Sequence, residues 1–460
     1  GAMSSAIMGF ETNLANSSRK LEDLRDPYKN YNAMATDQLE KLSPEIKWRI
    51  FLEYSGLRSD SCIIRQPEYF TNLGKLISRT PFEVLRSYLK FHLIHTYASS
   101  LSAEIDKTKF NFYNRLIQGA EQQKPRWKRS LEATDDKLGE LLGQEFVRNY
   151  FNDKAKKRYS ELVETIRQVF REHLENLDWM SEETKKKAIV KLMAMTKKVG
   201  YPDHWKDLST MKITRNSFCE NEIEANRFWI KYNRLKLGKP VDRSEWDMTP
   251  QTYNAYYNPS NNEIVLPAAI FTVPGRNDEQ LDDALVYGYA AASTIGHEIT
   301  HGFDDEGRQY DAKGNLSNWW TPEDEKRFKE RSKKLVNQFN EYVLLDSLHI
   351  NGQATLGENI ADLGGVVLGL DAFKKTLQYR EGKLISGLTP LQRYFMGYAL
   401  GWLGHIRDAS LASRLLTDVH SPAKYRVIGP FVNVNDFYNA FNIHEGDNMY
   451  RQDSLRVHIW

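Results

Sequence analysis

The chain of 460 residues is 41% apolar and 27% charged, which excludes an intrinsically disordered chain and, at this length, a single small core. Its net charge of +2 gives no electrostatic basis for a nucleic-acid or anionic-membrane partner. Two cysteines, Cys62 and Cys219, exclude a disulfide-built scaffold and match no zinc spacing, and no apolar run reaches the ~18 residues of a membrane span.

Residues 1–215 read as helical. "SPEIKWRIFLEYSGL" (43–57) predicts a helix capped by Ser43 with Pro44 in its first turn. "TPFEVLRSYLKFHLIHTYASSL" (80–101) opens on a capping box, Thr80 and Glu83. His92 and His95 lie inside it, three apart with no acid beside them, and read as ordinary core or surface histidines. Amphipathic helices follow over 138–150, 156–177 and 182–198. The basic runs "KPRWKR" (124–129) and "TKKKAIVK" (184–191) read as solvated helix faces.

The pattern changes near residue 200. "VGYPDHW" is a turn, "EIEANRFWIKYNRL" another helix, and "LGKPVDRSEWDMTPQ" a loop. "TYNAYY", "NPSNN" and "EIVLP" read as strand, turn and strand, which predicts a β-hairpin. "ALVYGYAAAST" then suits a buried helix, and it runs into "GHEITHGFDDEG".

On a helix, His297 and His301 project from one face one turn apart, so two imidazoles can reach one metal ion. Glu298 lies about 100° further round, beside the place of a water on that metal. H-E-x-x-H in this setting is a zinc-site pattern with the glutamate as general base. Catalytic zinc takes three protein ligands and keeps one position open. The best third donor is in "TLGENIADLGG" (355–365), where Glu358 and Asp362 share a helix face. The rest of that stretch is uncharged, so these acids are not part of a solvated charge run. Glu358 would complete a His-His-Glu set, and Asp362 could accept the outer ring N–H of a ligand histidine.

"NAYYNPSNNEIVLPAAIF", "GHEITHGFDDEGRQYDAKGNLSNWW", "INGQATLGENIADLGG" and "TDVHSPAKYRVIGP" resemble the motif blocks of the neprilysin-like zinc metalloendopeptidases, in that family's order. The helical half resembles it at "DPYKNYN", "DWMSEETKKKA" and "VGYPD". The resemblance implies one zinc ion held by His297, His301 and Glu358, with Glu298 as base. It implies Asp362 as partner of a ligand histidine, with Asp304 a weaker candidate for that role. Asn254 and Ala255 would hold the substrate backbone, His420 would stabilise the oxyanion, and Arg426 would bind a substrate carbonyl and brace the site. The implied fold is mainly α with a smaller α+β part. A helical lid lobe (1–215) and a thermolysin-like, gluzincin-type catalytic lobe (216–460) would face each other across a substrate chamber.

Implied substrates are oligopeptides cut before bulky apolar residues, with no nucleic-acid partner, no membrane span and a monomeric state. The family has a long stretch ahead of "FETNLANSSRKLEDLRDPYKNYN". The helical lobe is therefore expected to be N-terminally incomplete, with association through it as a consequence. The opening Gly-Ala-Met reads as a cloning remnant, and no signal peptide is visible. The family resemblance favours a secreted or periplasmic location. The cysteine-free C-terminus "LRVHIW" points to a bacterial-type member. An aminopeptidase is disfavoured because "NAYY" stands where a G-x-M-E-N motif would grip a free amine. A weakly active or inactive peptide-binding fragment is the remaining alternative.

Overall fold

The computed structural model describes residues 1–273 and 275–460. It is mainly helical with a few short strands, as the sequence predicts. The chain divides into two compact units, Gly1–Lys137 with Lys206–Asp242, and Leu138–Trp205 with Arg243–Trp460. The sequence reading placed one boundary near residue 215. The chain instead passes between the two units three times, and 138–205 belongs with 243–460.

In the first unit, helices Ala2–Ser17 and Phe82–Tyr97 meet through Phe10 and Tyr88, whose ring centroids are 4.9 Å apart. A small core of Leu39, Trp48 and Ile64 lies under the antiparallel pair Asn32–Ala35 and Ser61–Ile64. His92 bonds Glu11 at 2.9 Å and His95 stacks on Tyr113, so both are ordinary packing histidines. Both cysteines are free.

Two helix starts fall elsewhere than predicted. Ser43 closes the preceding helix Thr36–Leu42, and the next helix begins only at Trp48. Thr80 turns back to bond Leu76 O at 2.7 Å, and the following helix starts at Phe82 with no side-chain cap. Where two helices abut, a hydroxyl can serve the end behind it, as that of Thr80 does, whereas Ser43 closes its helix through its backbone N–H to Leu39 O at 3.1 Å.

The second unit holds the main core. Its helix Asp153–Asn176 is capped by Asn152, which accepts from Ala155 N at 2.9 Å. Leu162, Val163, Ile166, Val169, Phe170 and Leu174 recur at helical spacing and are buried. This amphipathic face places the segment in the second unit. Helix Glu182–Ala194 follows, capped by Ser181. It stops short of the predicted 198, because 196–200 forms a strand parallel to Glu263–Pro267. The predicted hairpin is present, with Tyr256–Asn258 antiparallel to Glu263–Pro267. Among the described residues the sheet has three strands, with Glu263–Pro267 in the middle and Tyr256–Asn258 at one edge.

The run 184–191 is not a solvated face. Thr184, Ala188, Lys191 and Leu192 are buried, while Lys187 pairs with Glu183 at the surface.

Candidate metal centre

Three consecutive helical pieces lead into the histidines: Asp283–Val286, capped by Asp282, the π-helical turns Tyr287–Gly296, and His297–His301. Nearly every residue of this run is buried, as its alanines and lack of charge predict. It crosses Leu356–Lys374, which also packs against Asp153–Asn176, Pro322–Asn340 and Ala423–Phe431. That helix is apolar on nearly all sides because it is surrounded on nearly all sides.

The two helices touch backbone to backbone. A Cβ on Gly365 would collide with the carbonyl oxygen of Ala292 and come within 3.0 Å of His297 N. A Cβ on Gly296 would lie 3.0 Å from Gly365 Cα. An alanine at Gly365 would prise the helices apart at a cost of about 1–3 kcal/mol. This close crossing brings Glu358 and Asp362 to the histidines.

The Nε2 atoms of His297 and His301 are 3.0 Å apart. Glu358 Oε2 lies 3.4 Å from the first, and its Oε1 3.6 Å from the second. One ligand atom from each of the three residues falls within 4.8 Å of the others. The outer nitrogens are fixed separately. His297 Nδ1 is 2.9 Å from Asp362 Oδ1, and His301 Nδ1 is 2.7 Å from Asp304 Oδ2. Each aspartate therefore holds one histidine of the group. With each Nδ1–H donated outward, both Nε2 lone pairs point at the same place.

Arg426 ties the set together. Its Nε donates to Asp362 Oδ2 and its Nη2 to Asp362 Oδ1, both at 2.8 Å, and Nη2 also reaches Glu358 Oε2 at 3.1 Å. The guanidinium carbon sits 4.0 Å from the centre of the Trp402 ring. His420 Nε2 lies 3.3 Å from Glu358 Oε1, while its Nδ1 bonds Asp418 Oδ1 at 2.7 Å. Ser421 donates to Asn359 Oδ1 at 2.8 Å and anchors that loop to the Glu358 helix. Asn254 is exposed and Ala255 buried, immediately before the edge strand Tyr256–Asn258. Asp418, Trp402 and Ser421 were not singled out from the sequence. The D-x-H spacing of Asp418 and His420 was the one available signal.

Charge explains the titration of the group. Burial pushes the Glu298 carboxyl up, against the pull of both histidines. Burial also works to raise Glu358, but His301, His297 and Arg426 outweigh it and hold this carboxyl well below its usual range. Asp362 is likewise lowered, by Arg426 and His297 against burial. Burial opposes protonation of His301, yet Glu358 and Asp304 push it up to about 10. His297 is raised as well, through Asp362 and Glu358 against burial and its neighbour His301.

Two family models match the chain, both described as peptidase family M13, over residues 1–202 and 254–457. The zinc metalloprotease Zmp1 of Mycobacterium tuberculosis, solved with an inhibitor, is 36% identical with a TM-score of 0.95, over all of this chain and 70% of that one. The chain belongs to peptidase family M13. PepO of Lactobacillus rhamnosis has a TM-score of 0.88 at 28% identity, over 100% of this chain and 71% of its own. An endothelin-converting enzyme homolog of Locusta migratoria is 32% identical over 96% of this chain, and neprilysin-3 of Drosophila melanogaster 31% over 98%. This M13 chain spans 64% and 60% of the lengths of those two relatives.

The residues of the M13 chain fit a zinc ion. Two imidazole nitrogens and a carboxylate converge, which is the donor chemistry of a three-ligand zinc site with a position left open. Two inward lone pairs 3.0 Å apart repel one another unless a cation or a proton lies between them.

Proposed function

We propose that the chain is a zinc-dependent endopeptidase that hydrolyses oligopeptides before bulky apolar residues. The observation that carries this reading is the convergence of His297, His301 and Glu358 with Glu298 buried beside them and both outer ring nitrogens held by carboxylates. Bound by those three residues, a zinc ion would polarise the scissile carbonyl and lower the pKa of a water.

The other steps belong to the chain's own side chains. Glu298, with its raised proton affinity, accepts the proton of the attacking water and delivers it to the leaving amine. Asp418 Oδ1 accepts from Nδ1 of His420 and orients the ring, and as an imidazolium His420 can donate its Nε2–H to negative charge developing on the carbonyl oxygen. Asn254 and Ala255 lie immediately before the edge strand Tyr256–Asn258, where a peptide backbone can add as a further strand. Arg426 braces Glu358 and Asp362 through charge-assisted bonds, and its contact with a substrate carbonyl is part of the same proposal.

The test is zinc quantification on this chain together with cleavage of quenched-fluorescent peptides, with and without a chelator. About one zinc per chain and chelator-sensitive internal cleavage are expected. Release of N-terminal residues only, or no cleavage by zinc-loaded protein, would refute the reading.

A further inference from the structure

We propose that Lys191 is a positioning residue for the metal centre, whose buried ammonium locks the 302–310 turn and so sets Asp304 against His301. The inference rests on the zinc reading above. Lys191 is 1% exposed. Its Nζ donates to the carbonyls of Gly302, Gly307 and Tyr310 at 2.6, 2.6 and 2.7 Å. The rings of Tyr257, Phe303 and Trp319 surround it, with centroids 5.9, 5.5 and 5.9 Å away. Three acceptors use all three hydrogens of an ammonium, and a neutral amine has only two to give. Burial pulls the group down to about 7, against the upward pull of Asp304 and Asp311. The carbonyl oxygens and the ring faces add to that upward pull.

The turn it grips directly follows the second histidine. Gly302 N bonds Ile299 O at 3.1 Å, which ends the motif helix. Two residues on, Asp304 Oδ1 accepts from Glu306 N at 2.9 Å and Gly307 N at 2.6 Å, and this leaves Oδ2 for His301 Nδ1. Gly307 must come close to the helix end, because a Cβ there would strike the carbonyl oxygen of His301. The turn therefore points the carbonyls of Gly302, Gly307 and Tyr310 at one spot. Three converging carbonyl dipoles repel unless a cation sits between them, and Lys191 is that cation. Its ammonium bonds none of the three candidate ligand side chains. Its effect runs through the turn to Asp304, and through Asp304 to His301.

The test uses Lys191→Met, which keeps the length and removes the charge, and Lys191→Gln, which keeps a donor for one or two carbonyls if the first does not fold. Zinc affinity, read by chelator competition, should fall about 10–100-fold, the range for loss of a partner behind a ligand histidine. A purely structural lysine would not alter the visible spectrum of the cobalt-substituted protein, whereas a misdirected His301 should. Combining the substitution with Asp304→Asn should weaken zinc little further, because both act on the same imidazole. In zinc-free protein, hydrogen exchange over 302–310 should be slow in wild type and fast in the variant. A folded variant with zinc affinity within threefold of wild type, additive effects in the double variant, or equal exchange over 302–310 would overturn the proposal alone. Wild-type protein that bound no zinc would overturn the metal reading and this inference with it.

Discussion

Replacing Asp362 by asparagine keeps the side chain's shape and removes its charge, so it separates holding His297 from balancing Arg426. In the native site Oδ1 faces His297 Nδ1 and Arg426 Nη2, and Oδ2 faces Arg426 Nε. An amide can leave its oxygen toward His297, but its NH2 then meets the N–H of Arg426 Nε, donor against donor. Arg426 is left with Glu358 Oε2 as its anion and draws that carboxylate toward itself, away from the histidines. Loss of such support behind a metal ligand costs about 10–100-fold in affinity, or about 1.4–2.8 kcal/mol. Leaving a buried arginine without its partner costs about 3–5 kcal/mol of stability before relaxation. The assay is zinc affinity by chelator competition, paired with thermal unfolding of the zinc-free protein. Both should fall. A lower Tm with zinc affinity within threefold of wild type would mean that Asp362 only balances Arg426. Unchanged values for both would refute the electrostatic account of this corner.

Glu298→Gln should keep its zinc and lose about 100-fold or more in peptide turnover, since an amide cannot accept the proton; turnover within tenfold of wild type would remove Glu298 as base. His420→Phe should lower kcat far more than it raises KM, with Asp418→Asn a milder version of the same defect, and a change confined to KM would make His420 a ground-state binding residue. His297 and His301 have raised affinities for protons in the zinc-free protein, His301 up to about 10. Their stabilising contribution is therefore complete below the unfolded value near 6.5 and is lost as pH rises through the folded value. Zinc must displace those protons, so binding at pH 7 should release protons and tighten as pH rises. Calorimetry in two buffers of different protonation heat measures this release, and none detected would contradict the charge assignment.

The candidate ligand set was legible because it is local. One helical turn separates His297 from His301 and another separates Glu358 from Asp362, and uncharged surroundings marked both pairs. Which aspartate serves which histidine was not legible. Asp362 reaches His297 only because Gly365 lets two distant helices touch, and Asp304 reaches His301 only because the helix ends at His301 and the chain turns back. The strand 196–200 was hidden for the same reason, since its partner Glu263–Pro267 lies far along the chain. Lys191 is a different case. Thr184, Ala188, Lys191 and Leu192 stand at i, i+4, i+7 and i+8, which is one helix face. The lysines around it made that face look solvated, although Lys191 shares its side with Ala188 and Leu192.

The charges on that buried face and around the histidines can be counted together. Ionised, Glu298, Asp304, Asp311, Glu358 and Asp362 contribute five negative charges, and Arg426 and Lys191 two positive ones. An excess of negative charge remains in a region largely closed to water, where an unbalanced charge is costly. A zinc dication held by the histidines would offset most of it. Without the metal, protons must do so, and the raised proton affinities of His297, His301 and Glu298 are where they go. Zinc and protons thus compete for the same negative charge. Arg426 offsets Asp362 and Glu358 in part, and Lys191 does the same for Asp304 and Asp311. Neutralising either cation should make the centre more negative and still weaken zinc, because geometry is lost along with charge. An increase in zinc affinity on removing Lys191 would show that net charge, rather than the orientation of His301, governs binding.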